Sequence, residues 1–128
     1  MGLFGNLFGS NEAKEATELP WIQLMSKNQL LDIQDKSHSR TQIIFKHSTT
    51  CGISRMVLGM FSRQYALNAE NADLYFLDLH AYREVSNEVA AVFQVIHQSP
   101  QLLVIKNGKT IFHTSHGAIS EVDLEQFA

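Results

Sequence analysis

Residues 41–54 read TQIIFKHSTTCGIS and join an apolar, β-branched segment to Cys51, the only cysteine of the 128-residue chain. The first six residues predict a buried strand, Thr41 to Lys46. Apolar residues recur at helical spacing after the cysteine, which predicts a helix from Cys51 to about Leu67. Cys51 therefore lies at a strand-to-helix junction, where a lone thiol can form a disulfide only with another molecule.

The same patterns predict an α/β domain around this junction. Further strands are expected at 21–24, 74–79, 102–105 and 110–113, and further helices at 26–37, 85–97 and from 120 onward. The Asn-Gly pair at 107–108 predicts a tight hairpin between the last two strands. Strands that alternate with helices favour a parallel core, and the hairpin adds an antiparallel edge, so we expect a mixed sheet. Helices should cover both faces, because the central strands are apolar on both sides.

Length and composition describe one globular domain and exclude several classes of function. Hydrophobic residues make up 45% of the chain and charged residues 18%, as in an ordinary soluble protein. We predict a flexible N-terminal tail and linker at 1–19 and one folded domain at 20–128. Alternatively, the apolar start of the tail, at 1–9, docks on the domain, on a partner or on a membrane surface. The net charge of −3 provides no basic patch for nucleic acid, and no apolar run approaches the roughly 20 residues of a membrane span. A single cysteine forms no disulfide framework, which favours the cytoplasm.

The order of the elements, with a cysteine opening a helix and Pro100 before the hairpin, resembles the thioredoxin fold over about residues 20–127. The block FKHSTTCGIS at 45–54 further resembles the YtxJ-like monothiol bacilliredoxins. This resemblance implies a thiol-disulfide oxidoreductase whose catalytic residue is Cys51. It also implies the partners, which are S-thiolated client proteins and the small thiol bacillithiol as co-substrate, without a tightly bound cofactor. We expect a bacterial, monomeric protein.

Gly52 departs from this family, in which proline usually follows the cysteine. The tetrapeptide CGIS at 51–54 is similar to the Cys-Gly-Phe-Ser motif of monothiol glutaredoxins, which are associated with labile 2Fe–2S clusters. Two alternatives therefore stay open. One is a cluster carrier in which two chains each supply Cys51, and the other is a non-enzymatic adaptor with the thioredoxin fold. His113 and His116 have no third ligand nearby in sequence, so we expect no zinc site.

The neighbours of Cys51 suit thiol exchange, in which the thiolate is the nucleophile. At a helix N-terminus the amides of Ile53 and Ser54 favour an anion, and the Ser54 hydroxyl can donate a hydrogen bond to the sulfur. Lys46 adds positive charge, and Thr50 is a candidate helix cap beside the thiol. Because a serine cannot attack a disulfide productively, the small thiol should stay on Cys51 until an external thiol removes it.

A second part of the site is expected at Ser99 and Pro100. In the fold that this chain resembles, the proline opposite the cysteine is cis, and the backbone of the residue before it faces the substrate. The resemblance therefore implies a cis Ser99–Pro100 bond. We expect Ser99 to pair with an extended client segment or with the peptide-like part of a small thiol, as an added strand does. Gly52 completes the predicted substrate groove.

Overall fold

The computed structural model describes residues 19–67 and 69–128, so the predicted tail, apart from residue 19, lies outside the described residues. The strands are β1 (Trp21–Gln23), β2 (Thr41–His47), β3 (Ala72–Asp78), β4 (Gln101–Lys106) and β5 (Lys109–Ser115). The helices are α1 (Asn28–Lys36), α2 (Gly52–Gln64) and α3 (Arg83–Val92), followed by two 3₁₀ helices at His116–Glu121 and Leu124–Phe127.

The five strands form one mixed sheet in the order β1-β3-β2-β4-β5, which confirms the predicted architecture. β2 lies at the centre, parallel to β3 and antiparallel to β4. The β4–β5 hairpin turns at Asn107 and Gly108, whose φ angles are 53° and 81°, and positive φ at both positions is typical of two-residue hairpins. The amides of these two residues donate to the carbonyl and hydroxyl of Ser37, which ties the hairpin to the end of α1.

Alternate residues of β2 enter two separate cores, one on each face of the sheet. Ile44 packs against residues of α1 and α3, whereas Ile43 and Phe45 pack against α2 and the 3₁₀ helices. The ring centroids of Phe45 and Phe61 are 5.2 Å apart, so α2 is fixed over the strand that leads to Cys51. Helices cover both faces, as predicted. None of the described helices is long and apolar enough to span a membrane.

The three α-helices are shorter than the sequence predicts. Ser26 does not cap α1: Lys27 precedes the first turn, and the side-chain oxygen of Gln29 accepts the Ser26 amide. α2 ends at Gln64 instead of continuing to residue 67. α3 ends at Val92 instead of residue 97, because the chain soon turns through a positive φ at residue 94.

The predicted last helix from residue 120 is wrong. Two short 3₁₀ helices replace it, and Val122 between them is extended. Asp123 caps the second one by accepting the Glu125 amide. Ile119 and Leu124 both enter the core beneath α2. The segment therefore buries its isolated apolar residues in two short turns and not along one helical face.

Candidate active site

Cys51 lies at the carboxyl-terminal edge of the sheet, between β2 and α2. It is the N-cap residue of α2, with an extended backbone (φ −105°, ψ 118°), and its side chain makes no capping hydrogen bond. The residue is half-buried. Its amide donates to the Ser48 carbonyl (3.3 Å), which closes the turn leading to the helix. Because the first amides of a helix have no acceptors within it, the thiol lies beside the positive end of the α2 dipole.

Ser54 is fully buried one turn into α2, and its hydroxyl is engaged away from the thiol. The Ser48 amide donates to the Ser54 hydroxyl (3.0 Å), which also lies 2.9 Å from Nδ1 of His47. Burial lowers the pKa of His47, so the neutral ring can accept the Ser54 proton. The predicted hydrogen bond from Ser54 to the sulfur is therefore wrong. The hydroxyl fixes the turn before Cys51, because the Ser48 amide needs an acceptor there.

Replacing Ser54 with alanine should lower the free energy of unfolding by about 1–3 kcal/mol, because the Ser48 amide then loses its buried acceptor. Chemical denaturation measures the change. Ser62→Ala is the matched control on the same helix, since the buried Ser62 hydroxyl has no hydrogen-bond partner among the described residues. That control should not destabilise the protein, and equal losses in both variants would contradict the role assigned to Ser54.

Lys46 is fully buried and does not lie on the face of the sheet that α2 covers. Side chains alternate along β2, so Lys46 shares the face of Ile44, towards α1 and α3. Its Nζ donates to the Ser86 carbonyl (3.1 Å) and lies 3.2 Å from Nδ1 of His97. Burial lowers the pKa of Lys46 to about 8. The side chain therefore belongs to the opposite core, and its described contacts are with Ser86 and His97. Its effect on the thiolate stays a prediction.

His80, in the loop after β3, is a residue of the site that the sequence analysis missed. Its Nε2 lies 2.8 Å from the Ser48 hydroxyl and 3.1 Å from the Thr50 hydroxyl. Thr50 thus contacts the β3 loop, and α2 has no side-chain cap. The sequence predicts a parallel core, and the carboxyl ends of parallel strands lie at one edge of a sheet. It does not predict which strand lies beside β2, so it could not bring His80 to this site.

The Ser99–Pro100 peptide bond is cis, as expected. β4 pairs with β2 through Lys46 and Gln101, and continuing that register brings Pro100 beside His47 and Ser99 beside the following turn. Pro100 is buried, and its carbonyl accepts the amide of residue 116 (3.0 Å). The Ser99 hydroxyl is buried and has no partner within the described part of the chain. This segment therefore borders the base of the loop that presents Cys51.

Gly52 and Ile53 form the exposed start of α2. Ile53 is 54% exposed, and Met56 and Met60 continue an accessible apolar stripe along the same helix. A Cβ added at Gly52 would meet no atom within 4 Å. No positive φ is recorded for Gly52, so its backbone does not require glycine, and the position can accept the proline that the related motif carries.

Replacing Gly52 with proline should raise the free energy of unfolding by about 0.4–1 kcal/mol, because it restricts the unfolded chain. Proline is favoured at the first helical position, and the extended backbone of Cys51 suits a residue before proline. Thermal unfolding tests this, with Gly52→Ala as a control for loss of glycine flexibility alone. A proline variant less stable than the alanine variant would contradict the described helix start.

Known proteins share this fold. A family model described as monothiol bacilliredoxin BrxC matches residues 22–124. A solved structure provisionally described as an oxidoreductase with a thioredoxin fold has a TM-score of 0.70 and 29% identity, covering 84% of this chain and 92% of its own. Thioredoxins from Malassezia sympodialis (20% identity, TM-score 0.62, 77% and 81% coverage) and Schistosoma mansoni (18%, 0.61, 84% and 91%) share the fold. The match over residues 22–124 shows that the chain belongs to the monothiol bacilliredoxin BrxC family.

Proposed function

We propose that this thiol oxidoreductase removes a low-molecular-weight thiol, bacillithiol, from mixed disulfides on client proteins and accepts it on Cys51. Membership of the family and the thioredoxin fold support thiol-disulfide chemistry in general. The proposal for this specific reaction rests on two residues. Cys51 is half-buried at the start of α2, and a fully buried serine occupies position 54, where a second cysteine would otherwise act. The chain has no second thiol that could expel the acquired one.

The exchange is a single displacement at sulfur. The Cys51 thiolate attacks the sulfur of the small thiol in the mixed disulfide, and a new disulfide forms between these two sulfurs. The client sulfur leaves with the electron pair of the broken bond and is protonated by solvent. The client is thereby reduced and Cys51 oxidised, and an external thiol must later restore Cys51. Such a cycle needs a reducing compartment, for which we propose the cytoplasm.

The surroundings of Cys51 support attack by the thiolate. The positive end of a helix stabilises an anion by roughly 0.3–1 kcal/mol at an exposed site. The Ser48 hydroxyl and amide are both held by the described network, so the turn before the thiol is fixed. The cis segment at Ser99 and Pro100 runs along the same loop. We propose that its backbone pairs with the client or with the small thiol.

The test uses one client protein carrying a single mixed disulfide, prepared once with bacillithiol and once with glutathione. Release of the client thiol is followed with time at equal protein concentrations. The proposal predicts faster release from the bacillithiol form, by about tenfold or more, which is a difference of ~1.4 kcal/mol in the barrier. Faster release from the glutathione form would overturn the assignment of the small thiol. Release from neither form would overturn the proposed function.

A further inference from the structure

We propose that His80 is a positioning residue for thiol exchange, which holds the hydroxyls of Ser48 and Thr50 in place beside Cys51. The inference rests on the proposed function and identifies a further residue of the same site. Its basis is a pair of short contacts from Nε2 of His80, 2.8 Å to the Ser48 hydroxyl and 3.1 Å to the Thr50 hydroxyl. Both hydroxyls lie in the turn between β2 and α2 that leads to Cys51.

The protonation of the ring follows from its other neighbour. Nη2 of Arg83 lies 3.4 Å from Nδ1 of His80, and a guanidinium can only donate. Nδ1 of the neutral ring therefore accepts, and Nε2 carries the hydrogen. Nε2 then donates to the hydroxyl oxygens, which also lie 3.3 Å from each other. Thr50 is exposed and precedes Cys51 directly, so this network of three side chains fixes the turn beside the thiol.

The backbone of His80 is fixed independently of its ring. Asp78 accepts the amide of His80 (3.1 Å) and that of Ala81 (3.3 Å), and the Leu79 amide donates to the His47 carbonyl (3.0 Å). The ring itself is on an exposed residue. Removing the ring therefore breaks a solvent-accessible link without opening either core. Loss of the His80 ring should slow the reaction of Cys51 far more than it lowers the free energy of unfolding.

The experiment compares the wild type, His80→Gln and His80→Leu by their second-order rate constants for client-thiol release at one fixed pH. Glutamine keeps a hydrogen-bond donor, whereas leucine removes it. Leucine should slow exchange about tenfold, the effect of losing one hydrogen bond to the reacting loop. Glutamine should recover most of the wild-type rate, because it restores the donor. Unfolding midpoints should be nearly unchanged in both variants.

Alkylation of Cys51 by iodoacetamide separates this proposal from the proposed function, because it requires no disulfide client. A leucine variant that alkylates more slowly than the glutamine variant supports positioning by His80, even if no client is ever reduced. Wild-type rates of exchange and of alkylation in the leucine variant would overturn the proposal. Equal losses of rate in both variants, matched by equal losses of stability, would also overturn it and make His80 a structural residue.

Discussion

Replacing Cys51 with serine should abolish transfer of the small thiol, lowering the rate of client-thiol release by roughly 10³-fold or more. The thiolate is the attacking group in disulfide exchange, whereas a serine hydroxyl is almost entirely protonated near neutral pH. The chain contains no other cysteine that could take over. Release of the client thiol, followed with a chromogenic reagent, measures the loss directly.

Circular dichroism of the Cys51→Ser protein supplies the control, because a half-buried N-cap side chain without a capping bond should tolerate serine without loss of fold. A folded serine variant that keeps a substantial fraction of the wild-type rate would contradict a role for Cys51 as the nucleophile. It would instead favour the adaptor alternative, in which the thiol is incidental.

Replacing Lys46 with methionine should stabilise the protein by about 1–3 kcal/mol near pH 7, because methionine fills the site without a buried charge. Lys46 is fully buried, and no carboxylate among the described residues forms an ion pair with it. Its contacts are the Ser86 carbonyl and His97. The expected gain is smaller than the full cost of burying the charge, since the substitution leaves the Ser86 carbonyl without this donor.

The same residue should make wild-type stability depend on pH in the alkaline range. Burial lowers the pKa of Lys46 in the folded protein to about 8 from its ordinary value of 10.5. Between these values the unfolded chain binds more protons, so the free energy of unfolding rises with pH across this window. Below about pH 8 the penalty is fully present. Lys46→Met should remove this rise, which denaturation curves at several pH values will show.

Lys109→Met is the matched control, because Lys109 is exposed on β5. This surface substitution should change the free energy of unfolding by no more than ~0.5 kcal/mol. It should also keep the alkaline rise in stability. A Lys46→Met variant that is less stable than the wild type at pH 7 and retains the rise would contradict the description of Lys46 as an uncompensated buried cation.

The fold was largely predictable from local sequence patterns, because its strongest elements are also its most apolar ones. The segment from Thr41 to Lys46 is uniformly buried as the central strand, and Asn107 and Gly108 adopt the positive φ values that their pair predicts. Helix ends were less predictable. Residues 93–97 continue the apolar pattern of α3, but the chain turns at Gln94 to bury Val95 in the core.

The site was only partly predictable, because sequence neighbours of Cys51 point in different directions. Strand alternation places Lys46 and His47 on opposite faces of the sheet, and the expectation that Lys46 adds charge beside the thiol did not take this alternation into account. The Ser54 hydroxyl was predicted to donate a hydrogen bond to the Cys51 sulfur, because Ser54 follows the cysteine by three residues. In the structure this hydroxyl instead contacts His47 and the Ser48 amide. Both contacts form only when the turn before Cys51 is folded.

The central claim is that Cys51 accepts the small thiol from a client and keeps it, and the intact mass of the protein tests this most directly. The protein is mixed with a bacillithiolated client, the reaction is quenched with acid, and the intact mass of the protein is measured by mass spectrometry. We predict that its mass rises by that of bacillithiol less two hydrogen atoms, that peptide mapping locates the adduct on Cys51, and that Cys51→Ser shows no change. An unchanged mass, for a protein whose Cys51 still reacts with iodoacetamide, would contradict the account.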